Sequence, residues 1–277
     1  MKLVLHNGGK LGVLRDNRVV DVSGLFAGQA LRFPLTQMHI AIEDFAMLRP
    51  LIEARAAKDE GVPLESVRLE APMPSPTKVI GAFSNYRRHT LEMRGPDSVQ
   101  AKPDILLKAP SSIIGPADSI VMPPLDEPIH HEPELTVIIG RKVKSIPVAD
   151  AFSAVFGYTT LLDITMRNDG DRSRRKSYDT FCPMGPAIVT ADEVPDPQDV
   201  GIRLWVDGKL RQDARTSDMT FSIAQIISFA SSVMTLYPGD VIATGTPEGV
   251  APIKVGEMIT IEIEHVGRMS IPVKAAH

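Results

Sequence analysis

The chain of 277 residues reads as a mostly β protein, a β-rich roll or mixed β-sandwich with a few helices, preceded by a small N-terminal α+β domain. Short apolar and β-branched runs recur through everything after residue 76. Helical patterning is confined to a few stretches, and no Gly-x-Gly-x-x-Gly or phosphate loop follows any strand. The last observation sets aside a doubly wound nucleotide-binding fold.

Residues 1 to about 23 read as short strands joined by Asn7-Gly8-Gly9 and Asp16-Asn17, both good turn chemistry. A helical stretch follows near residues 38 to 57, with an interruption expected at Pro50. The segment Ala71-Pro72-Met73-Pro74-Ser75-Pro76 reads as a stiff linker, because its prolines block both helix and central strand. The domain boundary is placed there: 1–72 as a small N-terminal domain and 73–277 as the larger one. Strands are then expected at 78–83, 105–108, 135–139, 158–164, 202–206, 240–244 and 258–265. A helix at 149–156 is expected to end on Gly157 as its C′ residue. Another, from Ser222 to about Leu236, opens with Ser222 and Gln225 in capping-box spacing and buries Ile223, Ile226, Ile227 and Ala230.

The formal net charge is −4 with both signs mixed, so no basic stripe suggests a nucleic-acid partner. The start reaches Asn7 and Gly8 too soon for a secretory leader, and no apolar run is long enough to span a bilayer. A soluble cytoplasmic protein is the expectation. Cys182 is the single cysteine, which excludes an intrachain disulfide and a cysteine-rich metal site. Lodged between Phe181 and Pro183, it reads as a small packed side chain rather than a nucleophile. His130, His131 and His265 read as structural or surface residues.

Glu132 and Glu134 open the run His131-Glu132-Pro133-Glu134-Leu135-Thr136-Val137-Ile138-Ile139-Gly140. Strand alternation puts both carboxylates on one face. Their repulsion must be offset, either by basic neighbours on an exposed strand or by a cation. Hard oxygen donors at this spacing suit Mg²⁺, Mn²⁺ or Ca²⁺ better than zinc. Asp163, inside the apolar run 158–164, is costly to bury unless hydrogen-bonded or ligating, and it supplies a third carboxylate.

His89 and Glu92 stand three apart on a short helix expected to end before Gly95-Pro96. They read either as a surface pair or as a general base oriented by a carboxylate. Lys176 ends a charge run whose arginines read as solvated; the lysine itself suits an oxyanion beside a metal. In Thr244-Gly245-Thr246-Pro247-Glu248-Gly249 the glycines permit close backbone approach and the hydroxyls suit a substrate carboxylate.

Taken in order, these segments resemble the fumarylacetoacetate hydrolase family over about residues 76 to 275. The matching stretches are Asn85-Tyr86 with His89 and Glu92, Leu107-Lys108-Ala109-Pro110-Ser111-Ser112, and Glu132-Pro133-Glu134-Leu135. They continue with Gly157-Tyr158 through Asp163 and Arg167, then Lys176-Ser177-Tyr178-Asp179-Thr180-Phe181-Cys182-Pro183-Met184-Gly185-Pro186, and end with Pro238-Gly239-Asp240-Val241-Ile242 running into Thr244-Gly245-Thr246-Pro247. The resemblance implies that Glu132, Glu134 and Asp163 bind Mg²⁺ or Mn²⁺, with Ca²⁺ as a substitute. It also implies that Lys176, Thr246, Arg167 and Tyr86 sit at the substrate, that His89 and Glu92 ride on a lid-like segment, and that the chain forms a homodimer. Residues 1 to about 72 look like the small domain that some bacterial relatives carry. Two departures stand out. Leu162 replaces an Asn that often precedes the metal-binding Asp, and Arg175 replaces a usual Gly in an unusually charged loop.

The reading that follows is a metal-dependent hydrolase acting on a carbon–carbon bond of a small, acylpyruvate-like 2,4-diketo acid. His89, oriented by Glu92, takes a proton from the attacking water, and Lys176 stabilises the oxyanion. The alternatives on the same site are an oxaloacetate-like decarboxylase, a hydroxymuconate-type keto–enol isomerase, and a non-catalytic binding protein.

Overall fold

The computed structural model describes residues 1–27, 35–95, 98 and 100–276, so Pro96 lies outside the described residues. Strands predominate. One large sheet runs, in spatial order, Val62–Pro63, Arg18–Asp21, Lys10–Arg15, Lys2–His6, Cys182–Thr190, Val155–Leu162, Pro133–Ile139, Val241–Ala243, Val79–Ala82 and Ile105–Lys108. The N-terminal hairpins turn where expected, with Asn7, Gly8, Gly9, Asp16 and Asn17 all at positive φ. Lys2–His6 pairs with Cys182–Thr190, so this sheet is continuous across the 71–76 linker.

A second sheet, ordered Lys209–Arg215, Gly201–Val206, Met258–Ile263, Gly267–Ala275 and Ile120–Met122, packs on the first. Leu135, Val137 and Ile139 meet Ile202, Leu204, Ile261 and Ile271 in the core between them. On the other face of the same strand Ile138 packs with Leu5, Met38 and Met184. Pro133–Ile139 is therefore buried along its whole length rather than half-exposed. The helix Ile223–Val233 has the expected box: Ser222 Oγ accepts from the Gln225 amide at 3.2 Å, and Gln225 Oε1 accepts from the Ser222 amide at 2.8 Å.

The structure corrects two expectations and adds one strand that the sequence reading did not announce. The first long helix breaks at Asp44, between Gln37–Glu43 and Phe45–Lys58, and Pro50 lies inside the second piece. There it removes one backbone donor without ending the helix. Residues 148–154 form a 3₁₀ helix, and Gly157 sits within a strand, not at a helix terminus. A Cβ on Gly157 would stand 2.2 Å from the Val189 carbonyl oxygen, so close strand approach explains the glycine. Finally, Cys182–Thr190 is a central strand despite Pro183 and Pro186. Pro183 sits where the strand pairs in parallel with Ile113–Ile114, and the register shifts opposite 158–160, an irregularity that accommodates proline. Among the described residues no helix is long and apolar enough to cross a membrane.

Candidate active site

Glu132 immediately precedes the strand Pro133–Ile139, and Asp163 immediately follows its antiparallel neighbour Val155–Leu162. The register sets Pro133 opposite Leu162, and the Asp163 amide donates to the Glu132 carbonyl at 2.8 Å. Two strand ends thus carry sequence-distant carboxylates to one place. Glu132, Glu134 and Asp163 are all buried and offer oxygens within 4.8 Å of one another. They line a cavity of about 360 Å³ together with His89, Arg167, Lys176 and Thr246.

Cations hold two of the three carboxylates. Lys176 Nζ lies 2.7 Å from Glu132 Oε2, 2.5 Å from Asp163 Oδ2 and 2.6 Å from Thr165 Oγ1, which engages all three of its donors. Lys108 pairs with Asp163 Oδ1, and Arg167 with Glu132 Oε1. Burial alone would raise the Glu132 pKa, but Lys176 and Arg167 outweigh it and hold the group well below the usual carboxylate range. Burial also opposes charge on Lys176, and Asp163, Glu132 and Glu134 overcome it, so its pKa lies above the ordinary lysine value.

Glu134 differs. It accepts from the Gly245 amide at 2.7 Å, and among the described residues no lysine or arginine lies at ion-pair distance from it. Burial, then the neighbouring Asp163, pushes its pKa well above the ordinary value. A buried set of hard oxygens with one member short of counter-charge fits a divalent cation, which would let Glu134 ionise as the third ligand.

His89 lies on the helix Arg87–Arg94, its Nδ1 3.5 Å from Glu92 Oε2. That is ion-pair distance but longer than a good hydrogen bond. Burial first, with Arg167 adding, lowers the His89 pKa despite the opposing pull of Glu132 and Glu92. Glu92 does not line the cavity; it accepts from the Gly249 amide at 3.2 Å, tying the helix to the 244–249 loop. Asn85 strengthens that tie by donating to the Thr244 and Phe221 carbonyls at 2.9 and 3.1 Å. Thr246 is held from behind: Gln212 Nε2 donates to its Oγ1 at 3.2 Å, and Gln212 Oε1 lies 2.7 Å from His131 Nδ1.

Tyr86 stands apart from the other expected substrate residues. Its backbone bridges to Met219 and its ring turns into the core, away from the cavity lining. Cys182 is buried, and burial pushes its thiol up to about 12, as its packed position implied. The residues 172–176 form a short helix capped by Asp171, whose carboxylate accepts from the amides of Ser173 and Arg174. Arg172 and Arg175 from this helix face the cavity and not bulk solvent alone. Sequence reasoning did not single out Lys108, although a charge closing an apolar strand is the signal that marked Asp163. Gln212 and Thr165 left no such signal.

The sequence model described as "Fumarylacetoacetate (FAA) hydrolase C-terminal" matches residues 78–274. A maleylpyruvate hydrolase of Aquipseudomonas alcaligenes is 34% identical over 286 aligned positions, covering 99% of this chain and all of the relative. A mitochondrial oxaloacetate tautomerase of Bos taurus is 37% identical, with 84% of this chain and 78% of the relative covered. Among solved structures, maleylpyruvate hydrolase from Sphingobium sp. SYK-6, in complex with manganese(II) and pyruvate, superposes with a TM-score of 0.91. It is 41% identical, and both chains are covered completely.

Proposed function

The chain belongs to the fumarylacetoacetate hydrolase family, and we propose that it is a metal-dependent hydrolase that cleaves a carbon–carbon bond of a small 2,4-dioxo acid to pyruvate and a second acid. The observation that carries this reading is the buried Glu132–Glu134–Asp163 set facing His89 across one cavity. Similarity over the full chain to an enzyme crystallised with manganese and pyruvate supports it.

In this reading Glu132, Glu134 and Asp163 hold Mg²⁺ or Mn²⁺, which when bound supplies Lewis-acid polarisation of the 2-oxo acid head. His89, kept neutral by burial, accepts a proton from the water that attacks the 4-oxo carbon, and Glu92 biases its ring orientation. His89 then returns the proton to the departing carbon, so the acid–base balance closes on one side chain. Lys176 keeps Glu132 and Asp163 ionised and aligned. Its role towards an oxyanion requires one of its three engaged N–H groups to turn. Thr246 and Arg167, both on the lining, orient the carboxylate of the head. We further infer a cytoplasmic homodimer, which size-exclusion chromatography with light scattering tests for assembly.

Proton transfer by His89 without water would instead give a tautomerase, a reading that the 37% identical tautomerase relative favours. Turnover of acetylpyruvate and oxaloacetate with Mg²⁺ or Mn²⁺, against EDTA controls, separates the two. Acetate and pyruvate appearing only with metal are expected. Enol–keto interconversion or CO₂ release with no cleavage would overturn the hydrolase.

A further inference from the structure

We propose that Gln212 is a positioning residue for substrate binding: its amide commits the Thr246 hydroxyl to donate into the cavity, where the carboxylate of the 2-oxo acid head accepts. This rests on the function proposed above and names the group, itself outside the cavity lining, that sets how Thr246 reads the head.

Gln212 is a polar residue where an apolar one would pack without cost. Its strand, Lys209–Arg215, is the outermost of the second sheet, and Gln212 is the one residue of that strand that is buried. Leu210, two positions earlier, is exposed. An amide withdrawn from water is costly unless its donors and acceptor are met. Here they are met in a single arrangement. Nε2 donates to the Pro247 carbonyl at 2.8 Å and to Thr246 Oγ1 at 3.2 Å, which uses both of its hydrogens. The Pro247 carbonyl only accepts, so turning the amide over would set two acceptors against each other. Oε1 therefore faces His131 Nδ1 at 2.7 Å, and Nδ1 carries the hydrogen of that ring. His131 is buried, and its Nε2, which has no hydrogen-bond partner, is the bare nitrogen.

The consequence falls on Thr246. A hydroxyl that accepts from Gln212 keeps its own hydrogen to give, and among the described residues no acceptor takes it. Thr246 lines the cavity, so the hydrogen is available there. The amide of the preceding residue, Gly245, is spent on Glu134 at 2.7 Å. Consecutive residues of one loop thus serve the acidic set and the open cavity. That loop lies directly on the strand of Gln212: Gly249 is at positive φ, and a Cβ there would stand 2.6 Å from the Arg211 carbonyl oxygen. At its other end the network meets His131, which immediately precedes Glu132 and whose amide donates to the Ala251 carbonyl at 3.3 Å. A carboxylate only accepts, and a hydroxyl already fixed as donor meets it without first having to be ordered.

The test is calorimetric binding of pyruvate, the head alone, to the Mn²⁺-loaded wild type, Gln212→Met, Thr246→Val and the double variant. Gln212→Met is expected to weaken pyruvate about tenfold while Mn²⁺ affinity stays within about twofold. In the Thr246→Val background the same replacement should cost nothing further, because its effect runs through that hydroxyl. Should Gln212→Met fail to fold, Gln212→Glu keeps the shape, removes both donors and enters the same comparison; its loss should be about tenfold greater with Thr246 present than in Thr246→Val. Nitrogen-15 NMR of the metal-free wild type gives a readout independent of ligand: His131 should carry its hydrogen on Nδ1. A hydrogen on Nε2 instead, no pyruvate binding by the wild type, equal losses in both backgrounds, or Mn²⁺ affinity falling together with pyruvate affinity would each overturn the proposal. Pyruvate binding that depends on Gln212 through Thr246, in a protein that cleaves no dioxo acid, retains the positioning role and removes the reaction.

Discussion

The ammonium of Lys108 lies 2.5 Å from Asp163 Oδ1, with neither side chain more than 3% exposed. Lys176 takes the other oxygen of the same carboxylate, so Asp163 is clamped from both sides and cannot rotate out of the cavity. Lys108 also donates to the Phe181 carbonyl at 3.0 Å, which fixes its own position.

Replacing Lys108 by Met removes a buried partner and leaves Asp163 with half its counter-charge. Metal-free protein is expected to lose about 3 kcal/mol or more of stability, because breaking a buried pair strands the remaining charge. Urea unfolding at neutral pH measures it. A loss under about 1 kcal/mol would show that the pair contributes little.

Glu134→Gln removes the ligand that has no ion-pair partner. Mn²⁺ affinity is expected to fall about 100-fold or more, and metal-dependent turnover with it. Calorimetric Mn²⁺ titration reads the first effect and product formation the second. Wild-type values for both would sink the ligand assignment.

His89→Ala is expected to lower kcat about 10²- to 10⁴-fold while Mn²⁺ binding persists, and Glu92→Gln to lower it less. The pH profile gives an independent readout. The protonated imidazole cannot accept a proton, so kcat/KM falls as pH drops through the His89 pKa. Burial places that pKa below the ordinary 6.5, hence the acidic limb should lie below pH 6.5 and vanish in His89→Ala. A limb above pH 7 would assign it to another group.

Stability should also fall with acid for a reason far from the cavity. His6 is buried, its ring nitrogens have no hydrogen-bond partner, and burial lowers its pKa from 6.5 although Asp21 opposes this. The folded state then binds fewer protons than the unfolded state below pH 6.5. Stability is full above that value and declines as pH falls toward the folded pKa. Replacing His6 with Leu should flatten this part of a Tm-against-pH curve; an unchanged slope would exclude His6 as its source.

Local chemistry determined much of this protein. Turn residues at 7–9 and 16–17, the Ser222–Gln225 box, the Glu132-x-Glu134 alternation and an Asp163 stranded in an apolar run each act over a few positions, where backbone preference and strand alternation are decisive. Those features by themselves specify the β-rich class and mark the three carboxylates. Tertiary structure decided which cation meets which carboxylate, since Lys108 and Asp163 are 55 residues apart and meet through sheet register and packing. It also put Cys182–Thr190 at the centre of a sheet despite its prolines, turned Tyr86 into the core, and brought Arg94, Arg172 and Arg175 to one cavity wall. A charge run looks the same in sequence whether it faces solvent or a site; what surrounds it is set by non-local contacts, and those exist only once the chain has folded.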